Sequence, residues 1–436
     1  MKHRPVLRAP NEVVTPFESL DVHRAQALGE RERAERRHGR NVTDSAARRS
    51  SSIRPGSNQR YCATVSVAIM SRQAHTTPSY GHATRLSAEP PAVLTRKRRV
   101  LADTVGFAHL QRQIEAVVQR IAAQDGSKVE RILEDHSVAA GDCWRMAIAP
   151  HDDYAYAGFM YPLVLRNVAA PVVIIFGVAH RARQLGLEDQ LVFDSFTHWP
   201  GPYGDIAVSS LRERIMTALP EGSYRVSDQM HSIEHSVEAK LPFLQHYNRA
   251  VEFVPILVPS MSLARMNELA SQLARAIALI MDEERLEWGA DIALVSSTDA
   301  VHYGDEGWGS KNFAPYGADA EGYAKALAHE RQIMRDCFDG DLRPDKIERF
   351  TRYTLADHDH REYKWPWCGR YSVPFGLLTA WYLQQLRGAR PLVGTVLGYA
   401  TSLGDQGIKV DDLDGMGVTA AATLRHWVGY AAVGFR

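Results

Sequence analysis

Histidine and aspartate side chains follow three apolar runs of the sequence, at the point where each run ends. His151 follows MAIAP, His180 follows VVIIFGVA, and Asp299 follows IALVSST, with His302 three residues later. Imidazole nitrogens and carboxylate oxygens bind divalent metals and also act as general acids and bases. If the three runs are strands of one sheet, these side chains could converge on one metal site. The alternative for each histidine taken singly is a hydrogen-bonded structural role.

A fourth cluster of titratable side chains lies in the segment HSIEHSVEAKLPFLQHY. Glu234, His235 and Glu238 stand at the start of a predicted helix. They could line the same site. Alternatively, the two glutamates complement the helix dipole and cover a solvated face.

One cysteine is placed for chemistry. Cys368 precedes a clearly apolar predicted helix, whose field favours the thiolate and so a better nucleophile and metal ligand. The alternative is a small buried apolar residue, the commonest fate of a free cysteine. The other three, Cys62, Cys143 and Cys337, lie in segments without matching chemistry, and no CxxC pair is present. So few scattered cysteines predict reduced thiols and a cytoplasmic location.

The elements that must position these residues alternate along the chain. Short β-branched runs occur at 145–150, 171–178, 251–258, 291–297 and 391–400. Helical patterns begin at 108 and recur at about 206–218, 233–247, 262–283, 318–338 and 373–387. This alternation predicts a single α/β domain over residues 97–436, with a central, largely parallel or mixed sheet flanked by helices. In such sheets, ligands bind beyond the carboxyl ends of the strands.

Positive charge is concentrated at one end of the 436-residue chain. Lys plus Arg and Asp plus Glu both number 51, yet residues 1–100 hold 19 basic and 8 acidic residues. Without a sustained hydrophobic period, residues 1–96 are predicted to be a disordered basic extension. The chain has no basic module with interleaved aromatics and no apolar stretch of about 18 residues. We therefore expect neither nucleic acid nor a membrane as a partner.

Seven sequence motifs resemble those of the Memo family, both in their order and in their spacing. Bacterial members of this family are often called AmmeMemoRadiSam system protein B. The motifs are APHDDYAYAG (149–158), GVAH (177–180), WPGPYGDIAV (199–208), EHSVEAKLPFLQ (234–245), SSTDAVHYG (296–304), CGRYSVP (368–374) and LGYATS (397–402). The likeness covers about residues 97–405. The family is similar to class III extradiol ring-cleaving dioxygenases, which implies a single α/β domain with a cleft lined by histidines.

The resemblance implies specific site residues. It implies that the metal positions of the family correspond to His151, His180 and Cys368, and that Asp299, His302 and His235 line the same cleft. Three motifs depart from the family pattern. Asp152-Asp153 replaces the usual Ala-Gly, GVAH replaces GPSH, and Thr298 is an extra residue before the D-x-x-H spacing. The two added carboxylates could supply a hard ligand or change the charge of the cleft.

The ligand types bear on the metal. Two histidines and a carboxylate suit non-haem Fe(II), whereas two histidines and a thiolate favour copper or zinc, with iron still possible. In an extradiol-type reaction a further histidine would deprotonate a phenolic substrate and later protonate the intermediate. His302, with Asp299 three residues before it, is the first candidate and His235 the second. Nearby aromatic residues could either wall a substrate pocket or pack in the core, namely Tyr154, Tyr156, Trp199 and Tyr203.

Two functions follow from these observations. The first is a metal-dependent oxidoreductase of dioxygenase type that acts on a small molecule, which could be phenolic. It would use one ion of Fe(II) or copper, with zinc as a further option. The second is a non-catalytic scaffold that binds a metal or a peptide in the cleft. A serine hydrolase is disfavoured because no GxSxG elbow is present. The sequence makes no prediction of the oligomeric state.

Overall fold

A ten-stranded mixed sheet forms the centre of the protein in a computed structural model. The structure describes residues 96–139, 141–309 and 312–436. All but the last residue of the predicted extension, 1–96, lies outside the described residues. The predicted fold class, a single α/β domain with a central mixed sheet flanked by helices, is confirmed.

Twelve strands and ten α-helices make up the described part of the chain. The strands are β1 (Met146–Ala149), β2 (Val172–Val178), β3 (Leu191–Phe193), β4 (His198–Trp199), β5 (Ile206–Ala207), β6 (Tyr224–Val226), β7 (Glu252–Val258), β8 (Ile292–Ser297), β9 (His302–Tyr303), β10 (Gly340–Asp341), β11 (Val393–Thr401) and β12 (Trp427–Phe435). The helices are α1 (Gln111–Asp135), α2 (Tyr154–Ala157), α3 (Met160–Leu165), α4 (Leu211–Ala218), α5 (Asp228–Ser232), α6 (Leu241–Tyr247), α7 (Leu263–Glu284), α8 (Ala320–Cys337), α9 (Pro344–Thr354) and α10 (Ser372–Leu386). Among the described helices, none has the length and hydropathy that a bilayer span requires.

The sheet has a parallel centre and antiparallel flanks. Its order is β10-β11-β12-β1-β8-β2-β7-β3-β6, and β9 pairs with β12. Strands β1, β8, β2 and β7 are mutually parallel neighbours, whereas β12 joins β1 antiparallel. The carboxyl ends of the four central strands therefore lie at one edge of the sheet, as predicted for a ligand site.

Alternate residues of the central strands enter cores on opposite faces of the sheet. On β2, Ile174 and Phe176 belong to one core, and Val173 and Ile175 to the other. Helices α7 and α10 pack on the first face, and α1 and α3 on the second. Burial on both faces explains why these strands are continuous apolar runs in the sequence.

The predicted elements agree with the structure at the centre of the fold and differ elsewhere. All five predicted strands are present, within two residues of their predicted ends. The predicted helix over 233–247 begins later: α6 starts at Leu241, with Pro242 in its first turn, where a proline fits best. Glu234 and His235 consequently lie in the loop that precedes it. Strand β12 and helix α9 were not predicted.

Arg99, the last residue of the basic run 96–99, is fully buried. Its guanidinium pairs with Glu238, lies 4.0 Å from the Trp199 ring, and donates to the carbonyls of His231 and Glu234. This arginine is thus part of the folded domain and anchors the loop that carries Glu234 and Glu238.

Candidate metal centre

The order of the central strands brings the predicted site residues together. Strand β8 lies between β1 and β2, so the loops that carry His151, Asp299 and His180 are neighbours. The rings of His151 and His180 have centroids 5.2 Å apart and are nearly perpendicular. The convergence that the sequence suggested at the sheet edge is present in the structure.

Cys368 completes a group of three metal-type donors. One ligand atom from each of His151, His180 and Cys368 lies within 4.8 Å of the other two, a spacing that could hold a metal ion. The loop of Cys368 is fixed to the end of β8, because the Gly369 N–H donates to Thr298 Oγ1 at 2.9 Å. The extra residue Thr298 thus connects two of the contributing loops.

Glu234 sets the orientation of His180. Its carboxylate lies 3.0 Å from His180 Nδ1 and accepts the backbone N–H groups of His180 and Ser236. Burial alone would raise the pKa of Glu234, but the His180 imidazole and these N–H groups lower it from 4.5 to about 2. A carboxylate at Nδ1 keeps the proton there and leaves the lone pair of Nε2 available to a metal.

A serine hydroxyl gives His151 the same tautomer. Ser297 Oγ lies 2.8 Å from His151 Nδ1, 2.8 Å from the Ser236 carbonyl and 2.6 Å from Lys240 Nζ. The single hydroxyl proton is donated to the Ser236 carbonyl, which can only accept. The charged ammonium group of Lys240 has donors but no acceptor. With this form of Lys240, the hydroxyl oxygen accepts from both Lys240 and His151 Nδ1. The basic nitrogen of His151 is then Nε2, as for His180.

Lys240 is a residue of the cluster that the sequence did not indicate. It is fully buried, and its Nζ donates to Ser297 Oγ and to the carbonyls of Pro150 and Ser236. Burial lowers the pKa of Lys240 to about 7, against the opposing effect of Asp299 and Glu234. The available signal was a lysine within an otherwise apolar segment, AKLPF, which is unusual for a side chain that normally reaches solvent.

The environment of Cys368 corrects one expectation. We expected the field of the following helix to favour the thiolate, but burial and the nearby Asp299 raise the pKa of Cys368 well above its usual range. Helix α10 begins only at Ser372, and the field of a helix end falls off within one turn. The thiol lies 2.9 Å from His302 Nε2. A metal ion would therefore have to displace the thiol proton.

Asp299 contacts His151. Its Oδ1 accepts the His151 backbone N–H at 2.8 Å, and its Oδ2 lies 3.4 Å from His151 Nε2. Burial, followed by the charge of Asp152, raises the pKa of Asp299 to about 8. A donor atom from each of Asp299, His302 and Cys368 also lies within 4.8 Å of the others, so a carboxylate is near the same position.

His235 lies against the other face of His180. The two rings are stacked with centroids 5.0 Å apart, and the His235 side chain is 11% exposed. His180, Glu234 and His235 form a further group whose donor atoms lie within 4.8 Å of each other. All six predicted site residues are thus within or beside one cluster.

Several neighbouring residues of the motifs are directed away from the cluster. Glu238 binds Arg99, and Asp153 accepts from the backbone and hydroxyl of Thr419. Asp152 accepts the Tyr430 hydroxyl at 2.8 Å and acts on the cluster through its charge on Asp299. Two of the four motif aromatics, Tyr154 and Trp199, are buried in the core. The other two, Tyr156 and Tyr203, are half-buried, and their hydroxyl groups form hydrogen bonds outside the cluster.

A pocket opens onto two of the three donors. His180 and Cys368 form part of its wall. Apolar side chains from the ends of β2 and β7 and three arginines also line it.

The sequence is similar to a known protein family over most of the described domain. The family model for Memo-like proteins matches residues 104–365. A MEMO1 family protein of Thermococcus kodakarensis is 25% identical over 311 residues, which cover 69% of this chain and 88% of the relative. A MEMO1 family protein of Pyrococcus furiosus is 28% identical over 204 residues, which cover 45% of this chain and 64% of that relative. A MEMO1 family protein of Aquifex aeolicus is 31% identical over 160 residues, which cover 36% of this chain and 53% of that relative.

The chain thus spans less than two thirds of the P. furiosus and A. aeolicus relatives. The family model, in contrast, spans more than half of the chain and includes the loops of His151, His180 and His302. The resemblance found in the motifs is confirmed, and the chain belongs to the Memo-like protein family.

Proposed function

We propose that the protein is a metal-dependent oxidoreductase of the ring-cleaving dioxygenase type that acts on a small phenolic molecule. The observation that carries this proposal is the donor set: two imidazoles and one thiol with ligand atoms within 4.8 Å of one another, two of the three at the wall of a pocket. Three protein ligands on one side leave further coordination positions for a substrate.

The residues fit a single first-row metal ion. His151, His180 and Cys368 would hold it, with the Asp299 carboxylate close by. The thiolate favours copper or zinc, and the carboxylate favours iron, so Fe(II) and copper are the two metals we propose. When bound, such an ion would supply Lewis acidity and the redox chemistry needed with O₂.

The other histidines would move protons. His302 is our first candidate for the general base, because its Nε2 faces the cluster beside Cys368. His235 is the second, since its ring stacks on that of His180. Either imidazole could take the proton of a phenolic hydroxyl and later return it to the ring.

Metal analysis followed by oxygen uptake tests the proposal. Protein purified without added metals is analysed for metal content, and the Fe(II), copper and zinc forms are then given a panel of catechols. We expect about one ion per chain, O₂ uptake by the iron or copper form, and none by the redox-inert zinc form. Cys368→Ala should lose metal, whereas Cys143→Ala, a thiol outside the cluster, should keep it.

Absence of O₂ uptake from fully loaded iron and copper forms would reject the enzyme and favour the second function, a metal-binding or peptide-binding scaffold. The softness of the donor set favours that alternative, because a buried thiol with two imidazoles suits copper or zinc storage. A cytoplasmic location is part of the proposal and is supported by the described cysteines, Cys143, Cys337 and Cys368, which are all free thiols.

A further inference from the structure

A cavity that contains none of the metal-type donors is lined by residues of α8, of α9 and of two loop segments, 313–316 and 364–365. Its volume of about 450 Å³ is within the usual range for small-molecule sites. Five of its nine described lining residues carry rings, three are cationic and one is a proline. They are Phe313, Tyr316, His329, Tyr353 and Trp365; Arg349, Arg352 and Lys364; and Pro315.

The aromatic rings of this cavity are held in place by the fold. Trp365 is almost fully buried, and its indole N–H donates to the buried carboxylate of Glu330. The rings of His329, Phe313 and Tyr316 have centroids 4.3, 5.2 and 5.9 Å from that of Trp365. Tyr316 is nevertheless 38% exposed and His329 is half-buried, so both rings keep free surface. Rings packed in this way offer contact area to an aromatic ligand at a small cost in conformational entropy.

Cationic side chains line the cavity, but none of its described lining residues is acidic. Each cation has one exposed carboxylate partner at 3.5–3.8 Å, and the pairs are Arg349–Asp345, Arg352–Glu348 and Lys364–Asp357. Exposed pairs of this kind contribute little to stability, and they leave most guanidinium N–H groups available to another acceptor. The carboxylates also compensate most of the positive charge. An anion would therefore be recognised at short range, through hydrogen bonds from the guanidinium groups.

We propose that this cavity is a second ligand site, which binds a planar aromatic molecule that carries a carboxylate or a phosphate group. The rings of Tyr316 and His329 contact the aromatic part, and Arg349 and Arg352 donate hydrogen bonds to the anionic oxygens. Carboxylate and phosphate share this recognition chemistry, and the ligands of the experiment separate them. The inference goes beyond the proposed function, because it needs neither the metal nor any of its donors.

Calorimetric titration of the full chain, as purified, tests this site. The probes are two naphthyl anions, 2-naphthoate and 2-naphthyl phosphate, the neutral 2-naphthamide, and two anions without a ring, acetate and inorganic phosphate. We expect at least one naphthyl anion to bind about tenfold or more tightly than 2-naphthamide, which corresponds to one charge-assisted hydrogen bond. The same anion should bind more tightly than its counterpart without a ring. The tighter of the two naphthyl anions identifies the anionic group.

Single variants locate the bound molecule. Arg349→Gln and Arg352→Gln should each weaken the binding of the preferred anion by about tenfold and leave 2-naphthamide binding unchanged. Tyr316→Ala should weaken the binding of both the anion and the amide by about threefold or more, because both use the ring. The control is Arg335→Gln, at an exposed position of α8 outside the cavity lining, which should change neither affinity. Thermal unfolding of each variant verifies that it is folded.

Equal affinity for the naphthyl anions and 2-naphthamide would overturn the proposal, since the guanidinium groups would then have no role. Equal affinity for the naphthyl anions and the anions without a ring would also overturn it, because the aromatic residues would then contribute nothing. Wild-type binding of the anions by both Arg349→Gln and Arg352→Gln would place them elsewhere on the protein and reject this cavity as the site. Failure of both naphthyl anions to bind the wild type would do the same.

Discussion

Glu234→Gln tests the link between His180 and the metal most directly. The substitution keeps the size of the side chain and one acceptor oxygen, but it removes the charge. In the wild type the carboxylate holds His180 Nδ1 and two backbone N–H groups. A glutamine amide that faces Nδ1 with its NH₂ group would move the imidazole proton to Nε2, the nitrogen that must bind the metal.

The expected loss of stability follows from the pKa of this carboxyl. A fall from 4.5 to about 2 on folding corresponds to about 3 kcal/mol in favour of the charged group, which is fully buried. Since the folded-state pKa lies below that of the unfolded chain, this contribution is present above about pH 4.5 and is lost as the pH falls towards 2. The free energy of unfolding of metal-free Glu234→Gln should therefore be about 3 kcal/mol lower than that of the wild type at pH 7. It should also decrease less than that of the wild type as the pH falls from about 4.5 towards 2.

Metal affinity is the second measurement. Loss of a carboxylate that orients a ligating histidine usually weakens metal binding by about 10-fold to 100-fold, and we expect this range from chelator competition. The control is Glu238→Gln, another buried glutamate of the same segment, which binds Arg99 instead of a metal-type donor. Glu238→Gln should lower the free energy of unfolding, but the molecules that remain folded should bind the metal with wild-type affinity. Wild-type metal affinity in Glu234→Gln, with His180→Ala still losing metal, would refute the role assigned to Glu234.

Three further predictions concern single side chains. His180→Ala should lose most of the bound metal while still folding, although it loses some stability because the buried Glu234 carboxylate loses its imidazole partner; full metal occupancy measured by elemental analysis would exclude this donor set. His302→Gln should retain metal and lower turnover by about 100-fold, the usual size of a general acid or base contribution, and loss of metal together with turnover would make His302 a ligand. Arg99→Met leaves Glu238 without its buried partner and should lower the free energy of unfolding by about 3–5 kcal/mol in denaturant titrations; a change below about 1 kcal/mol would contradict this.

The central strands could be predicted from the sequence because each is buried on both faces. Such strands must be apolar at every position, which gives an uninterrupted signal such as VVIIFGV for β2. The signal identifies the strands but not their order. That β8 lies between β1 and β2 depends on packing of the whole sheet, and this order is what makes His151 and His180 neighbours.

Strand β12 shows why other elements escaped prediction. All nine of its residues are buried, yet its sequence WVGYAAVGF contains two glycines and two alanines, which are weak strand formers. Gly434 has a specific role: a Cβ at this position would lie 2.2 Å from the Trp144 indole. The glycine is required by a partner almost 300 residues away in the chain, and local propensity contains no information about that contact.

The residues of the site also include some that the sequence could predict and some that it could not. The residues that follow strands were predictable, since the sheet alone determines which edge they occupy. Lys240 and Ser297 were not, because their roles arise from hydrogen bonds between segments that are distant in sequence. The protonation of Cys368 also depends on burial by the whole fold, which outweighs the local effect of the helix that follows it.

The charges around the cluster indicate how it could accept a divalent ion without a large change in the buried charge. In the metal-free protein, burial raises the pKa values of both Cys368 and Asp299 and so favours their protonated forms. Both groups would release these protons to solvent when a cation binds, because a nearby positive charge favours the ionised forms. Two protons would then leave as two positive charges arrive. The same exchange explains why two acidic groups can be buried beside Glu234, which is already ionised and paired with His180.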